Sequence, residues 1–239
     1  MSKTKIAFNW SGGKDSALAL HYLLQSGEYA IDTLLTTLSE QHERISMHGV
    51  RRSLLQAQAK ALGLPLREIM LPEAPDMSAY NAVMAEVMEE LRAKDIRQGA
   101  FGDIFLEDLR KYREERMAAA GMEALFPLWK LDTRDLIVEF IGLGFKTVVV
   151  CVDGRLLDAS FAGRVIDAAF LADLPDGIDP CGENGEFHTF VFDGPIFKEP
   201  VPYHLGETVY REYDIPRAED DPEDTPAKAG FYFKDLIPV

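Results

Sequence analysis

Apolar residues fall in blocks along the chain, and each change in their period marks an element. Thr4 to Asn9 is a compact apolar run that reads as a buried strand, and from Lys14 to Gln25 the apolar positions take a helical period that Gly27 ends. Ile31 to Leu38 is a second strand-like run, followed by a polar loop and a helix from about Val50 to Leu62 that Gly63 and Pro65 stop. Leu66 to Leu71 gives a third strand. Between Ala79 and Lys94, Tyr80, Val83, Met84, Val87, Met88 and Leu91 share one helical face, the mark of ordinary core packing.

"IRQGAFGDIF" predicts a short fourth strand ending in glycine, and Leu106 to Ala120 a charged helix that stops at Gly121. "LIVEFIGLGF" repeats the helix-and-stop pattern, and "KTVVVCVD" is an uninterrupted buried strand. Strands alternating with helices of this length need crossover connections, which predicts an α/β fold with a parallel sheet covered on both faces. Past Asp153 the pattern changes: "EFHTFVFDGPIF" and "ETVYREYDI" run apolar or alternate without long helices between them. The expected division is an α/β domain over residues 1–145 and a smaller mixed α+β region over 146–239, with an acidic, proline-containing mobile loop near 217–229.

Composition narrows the function classes. The chain has 239 residues, 47% of them hydrophobic, enough to bury a sizeable core. Lys and Arg number 25 against 40 Asp and Glu, and the formal net charge of -15 argues against bulk nucleic acid as a partner. Cys151 and Cys181 make neither a disulfide framework nor a zinc spacing, and no apolar run has the length of a signal-peptide core or a membrane span. A cytoplasmic protein with no membrane partner is expected.

The candidate chemistry begins in "SGGKDS", Ser11 to Ser16, where the first strand meets the first helix. A glycine turn at a helix start presents backbone N–H groups and the positive end of the helix dipole to an anion, so this is a phosphate site. Gly12 and Gly13 permit close backbone approach, Lys14 supplies an ammonium, and Ser11 and Ser16 supply hydroxyls. Asp15 would repel phosphate unless a divalent cation stood between them, which suggests Mg2+. A Walker A loop would need a glycine where Phe8 stands and Ser or Thr where Asp15 stands, and the G-x-G-x-x-G fingerprint fails as well. The hexapeptide resembles, at every position, the loop of the ATP pyrophosphatases. That likeness implies cleavage of ATP between its α and β phosphates.

Residues 180–190, "PCGENGEFHTF", set Glu183 and Glu186 among glycines ahead of a strand. Such acids can bind a cation, orient an amine or form a solvated turn. They follow, in one order, "SMHGVRRSLLQAQAKALGLPL", "GAFGDI", "LFPLWKLDTRDLIVEFIGLGF" and "FAGRVID". Together with the loop, over roughly residues 3 to 202, these segments resemble the diphthine-ammonia ligase family of ATP pyrophosphatases. The resemblance implies an adenine nucleotide alpha hydrolase-like sheet and an ATP-dependent amide ligase. MgATP would adenylate a carboxylate with release of pyrophosphate, and ammonia would then displace AMP to leave an amide.

Carried over residue by residue, the resemblance assigns Ser11, Gly12, Gly13, Lys14, Asp15 and Ser16 to the phosphates, with Asp15 on the metal. Thr36, Thr37, His48 (in the segment Met47–His48), Gly102 and Asp103 would complete the ATP site. Lys14, Asp15, Glu183 and Glu186 would be catalytic, and Asn184, Gly185, His188 and Arg110 would meet the substrate. The partners implied are ATP, ammonia and a carboxylate, either protein-borne diphthine or a small molecule. Two departures fall in the presumed substrate regions. Leu106, Glu107, Asp108 and Leu109 stand where the family carries Ser-x-Tyr-Gln, and His188 stands where it carries a second acid. Adenylation is therefore better supported than diphthine as the acceptor. The open alternatives are the same chemistry on a metabolite or cofactor precursor, and an ATP-binding sensor without turnover, against which Lys14, Asp15 and the second acidic motif argue.

Other signals have plainer readings. Arg110, Arg113 and Arg116, spaced three apart among glutamates, fit a solvated face laced with ion pairs, with Arg110 the one matching a family position. Trp10, Trp129 and Cys151 read as core. Cys181 beside the acidic motif is a single thiol, weak support for sulfur chemistry. The aromatic "FYF" at 231–233 could pair strands across a homodimer.

Overall fold

The computed structural model describes residues 3–45, 48–72, 77–214 and 228–239. Met47 lies outside the described residues, as does most of the acidic 217–229 stretch; Lys228 and Ala229 at its end already belong to a strand. The first part of the chain runs β1 (Thr4–Asn9), α1 (Lys14–Ser26), β2 (Tyr29–Ser39), β3 (Arg44–Ile45), α2 (Arg52–Leu62), β4 (Leu66–Leu71) and α3 (Met77–Ala93). It continues through β5 (Gln98–Ala100), α4 (Glu107–Ala119), β6 (Glu123–Leu125) and α5 (Thr133–Gly142). Then come β7 (Lys146–Asp153), α6 (Ala168–Asp173), β8 (Phe187–Asp193), β9 (Tyr203–Asp214) and β10 (Lys228–Pro238).

Five strands form the expected parallel sheet in the order β4-β2-β1-β5-β6, and β3 adds a short antiparallel pairing at the far end of β2. Side chains alternate across each strand, so β1 sends Ile6 and Phe8 to one core and Ala7 to the other. Helices α1, α2 and α5 cover the first face, and α3 and α4 the second. The chain winds outward from β1 through β2 to β4, then returns to the other side of β1 for β5. That reversal leaves a crevice at the carboxyl ends of β1 and β5, where ligands bind in folds of this kind.

The other strands form an antiparallel sheet in the order β8-β7-β10-β9. β7, whose unbroken apolar run suits a parallel sheet, stands inside this one. It is apolar on both faces because Val148, Val149, Val150 and Val152 share a single core with Phe8 of β1, Leu20 of α1 and Phe140 of α5. β3 and β6, of two and three residues, are too short to carry a period and fall where a loop or helix end was expected.

Candidate active site

The glycine loop is shaped from below. Trp10, at the end of β1, is buried, and its indole N–H donates to Gln58 Oε1 at 3.0 Å. Gln58 Nε2 donates in turn to the carbonyls of Gly12 (3.0 Å) and Val191 of β8 (2.6 Å). This fully buried amide ties β1, the loop and the second sheet together. Gly12 has φ +79, and a Cβ there would meet Gln58 Oε1 at 2.7 Å, so glycine is required for both reasons. Gly102 is needed differently. At the exit of β5 its missing side chain lets the chain pass the first turn of α1, where a Cβ would lie 2.9 Å from the Ser16 nitrogen.

On this base Lys14, only 3% exposed, sets its Nζ 2.9 and 2.7 Å from the two Asp15 carboxylate oxygens and 5.5 Å from the Phe187 ring. Burial works against the ammonium, but Asp15 foremost outweighs it and holds the Lys14 pKa above its usual value. Ser16 donates to the Gly13 carbonyl at 2.9 Å, and its hydroxyl lies 3.1 Å from that of Ser11. The Lys14 backbone N–H donates to Thr189 Oγ1 of β8 at 3.0 Å, and Val191 N–H donates to the Gly12 carbonyl at 2.9 Å. The antiparallel sheet is thus docked directly on the loop.

A crevice of about 740 Å3 opens above the loop, within the range of small-molecule sites. Ser11, Gly13, Lys14, Asp15 and Ser16 form one wall. Thr36, Thr37, His48, Gly102 and Asp103 close its sides, although the Thr36 hydroxyl is already spent on the Trp10 carbonyl at 2.5 Å. The facing wall is the turn before β8, which contributes Glu183, Asn184 and Gly185, and the start of β8, which contributes His188. Glu183 Oε1 accepts from the Ile104 N–H at 2.7 Å, and burial, reinforced by Asp15, pushes its carboxyl up to about 7. His48 and His188 stack with ring centroids 4.7 Å apart. Burial lowers them to about 4 and about 3, so the pair is an uncharged flat surface at neutral pH.

Three expected residues stand outside the crevice. Gly12 faces down onto Gln58. Glu186 is buried beneath the turn, where Oε1 accepts from Asp179 N–H at 3.1 Å and from Asn184 Nδ2 at 3.0 Å. Arg110 turns away to lie over Trp129 at 4.5 Å and to pair with Glu114 at 2.7 Å, because Phe126 and Trp129 offer aromatic faces on that side of α4. Arg113, one turn further on, lines the crevice in its place, 2.8 Å from Asp103. Cys181 is buried off the crevice lining and donates to the Thr133 carbonyl at 3.2 Å, and burial pushes its thiol above the usual value.

Residues 4–124 match the family described as diphthamide synthase N-terminal domain, and residues 132–218 that described as diphthamide synthase C-terminal domain. The chain belongs to the diphthamide synthase family. Among curated relatives, a diphthine–ammonia ligase of Danio rerio is 25% identical over 232 residues, covering 85% of this chain and 88% of that protein. One of Homo sapiens is 24% identical over 233 residues, covering 88% and 86%. A solved structure, the U34-tRNA thiolase NcsA from Methanococcus maripaludis with its [4Fe-4S] cluster, is 18% identical over 59% of this chain and 57% of that one, at a TM-score of 0.36, too slight to carry an argument.

Within this family member, Gln58, Thr189, Arg113 and the Asp153–Arg155 pair are the crevice and loop residues that sequence reading passed over. Gln58 had a signal: it shares the buried face of α2 with Leu54, Leu55 and Leu62, an unusual place for an amide. Among the described residues no three His, Cys, Asp or Glu side chains gather as a metal cage, and no helix is long and apolar enough to cross a membrane.

Proposed function

We propose that this protein is an ATP-dependent ligase that adenylates a carboxylate and converts it to an amide with ammonia, releasing pyrophosphate and AMP. The observation that carries this reading is the facing of the glycine loop and the Glu183 turn across one crevice at the reversal point of the parallel sheet. The diphthine–ammonia ligase names of the relatives support the reaction class.

On this reading residues 1–145 bind ATP, and 146–239 close the crevice with the Glu183 turn on the side where ammonia attacks. The loop N–H groups, Ser11 and Ser16 hold the phosphates, and Lys14 offsets charge that develops on departing pyrophosphate. Asp15 is a hard oxygen donor, and with no protein cage among the described residues it would suit a Mg2+ that enters with the nucleotide. Such an ion would neutralise the triphosphate where buried acids already crowd the wall. Once AMP is joined to the acceptor, Glu183 takes the proton from ammonium or from the attacking amine, a task suited to a carboxyl near 7. Glu186 holds the turn that presents Glu183.

The test is incubation with ATP labelled at the α phosphate, Mg2+, ammonium and candidate carboxylates, resolving AMP, ADP and pyrophosphate. AMP with pyrophosphate is expected. ADP would overturn the reading, and ATP binding without cleavage under any acceptor would put a nucleotide sensor in its place.

A further inference from the structure

A second cavity, of about 250 Å3, opens between α3 and α4 and adjoins the crevice: Asn9, Tyr80, Met84, Phe101 and Arg113 line both. Met88 and Met117 form its buried floor. The Tyr112 hydroxyl donates to Asn81 Oδ1 at 2.9 Å and braces α4 against α3 at its rim. Arg92 and Arg116 are exposed on the lining, with Glu89 the one acid among them.

Arg113 stands at the junction. Its guanidinium lies over Phe101 at 4.5 Å. Asp103 holds one edge: Nη2 donates to Oδ1 at 3.2 Å, and Nε lies 2.8 Å from Oδ2 in an ion pair not aligned as a hydrogen bond. Among the described residues Nη1 has no hydrogen-bond partner. Asp103 and Phe101 therefore fix the plane of the guanidinium, and its Nη1 side is left for an incoming anion. Asn9, the last residue of β1 and two positions before the loop, lines both cavities with Arg113, so the two cavities meet at the loop end of β1.

Resting on the ligase reading, we propose that the acceptor is a small carboxylic acid with an apolar arm, the arm seated in the α3–α4 pocket and the carboxylate held by Arg113 at the crevice. Methionine and aromatic walls suit a flexible or flat hydrocarbon arm. With Arg113 paired to Asp103, Arg92 and Arg116 still outnumber Glu89 on the lining and disfavour a cationic arm. The pocket's volume limits the arm to a short chain or a single ring.

The test is calorimetric titration of the full chain, already saturated with a methylene analogue of ATP that cannot be cut between the α and β phosphates. The probes are hexanoate, phenylacetate and their two neutral amides. The acids are expected to bind to the nucleotide-loaded protein, and the amides to bind about tenfold more weakly or worse. Arg113→Gln should weaken the acids by about tenfold and bring acid and amide together. Ala85→Trp, at an exposed helical position on the pocket lining, should abolish acid binding and leave nucleotide affinity within about twofold. No acid binding to nucleotide-loaded protein, equal affinity for acid and amide, or competition between acid and nucleotide would each overturn the proposal, competition meaning that the pocket takes the base of ATP. Failure of the wild-type chain to bind the analogue at all would instead bring down the ligase reading beneath it.

Discussion

The glycine loop and the Glu183 turn face each other across the crevice, yet they are built by opposite means. The loop is six consecutive residues at a strand-to-helix junction, and the anion site proposed for it rests on backbone direction and the helix start. The turn is held by its own acids: Asp179 Oδ2 accepts from the Glu183 N–H at 2.8 Å, and Glu186 gathers Asp179 and Asn184. Two glutamates three positions apart thus divide the work, because one points into the crevice and the other into the protein. Spacing alone does not separate a reacting carboxylate from a structural one; burial and partners do.

The contrast can be broken or sharpened by substitution. The largest effect is expected for Lys14→Ala, which should cut AMP and pyrophosphate formation by about 10²–10³-fold, measured with labelled ATP on variant protein whose circular dichroism shows it folded. A wild-type rate would remove the loop from the chemistry. Glu183→Gln should slow amide formation by about 10²-fold and flatten its pH profile, which in the wild type should rise as the pH passes through about 7 and the carboxylate forms.

The same residue makes a stability prediction of definite sign. With its carboxyl raised from the ordinary value to about 7, the folded protein binds the Glu183 proton more tightly than the unfolded chain does. Its contribution is therefore most favourable below the ordinary carboxylate range and is lost as pH rises to about 7. Urea unfolding of wild type and Glu183→Gln on either side of that window should show the difference; parallel curves would mean that the carboxyl is not shifted.

Glu186→Ala should act on the turn rather than on the step. It leaves the Asp179 N–H and the Asn184 amide without their acceptor and should lower stability by about 1–3 kcal/mol in urea unfolding, with activity lost only as the turn loosens. A stable variant with no product would return Glu186 to the chemistry. The smallest effect belongs to Arg110→Ala, which removes a half-exposed ion pair and its aromatic stacking for about 1 kcal/mol or less, with no change in turnover. A large loss of turnover would put Arg110 back at the substrate.

Much of the parallel sheet was legible because its elements have periods of their own. β1 and β4 begin and end where the apolar runs do, and α1 and α2 stop at the glycines that mark their ends. The sheet that β7 joins was not legible, since a strand buried on both faces reads the same in either sheet. Nor was the choice between Arg110 and Arg113. They lie three residues apart on α4, and only the position of Phe101 and Asp103 on one side and Phe126 and Trp129 on the other decides which guanidinium meets the crevice.

By itself, then, the order of residues determined the strand-loop-helix junction with its glycine loop, the α/β alternation and the presence of a second acidic motif, because each rests on neighbours in the chain. Tertiary structure alone decided that Glu183 and not Glu186 reaches the crevice, that Gln58 and β8 shape the loop from beneath, and that an apolar pocket adjoins it at Arg113. Those outcomes depend on which surfaces meet when distant segments share one core, and no local periodicity records such a meeting.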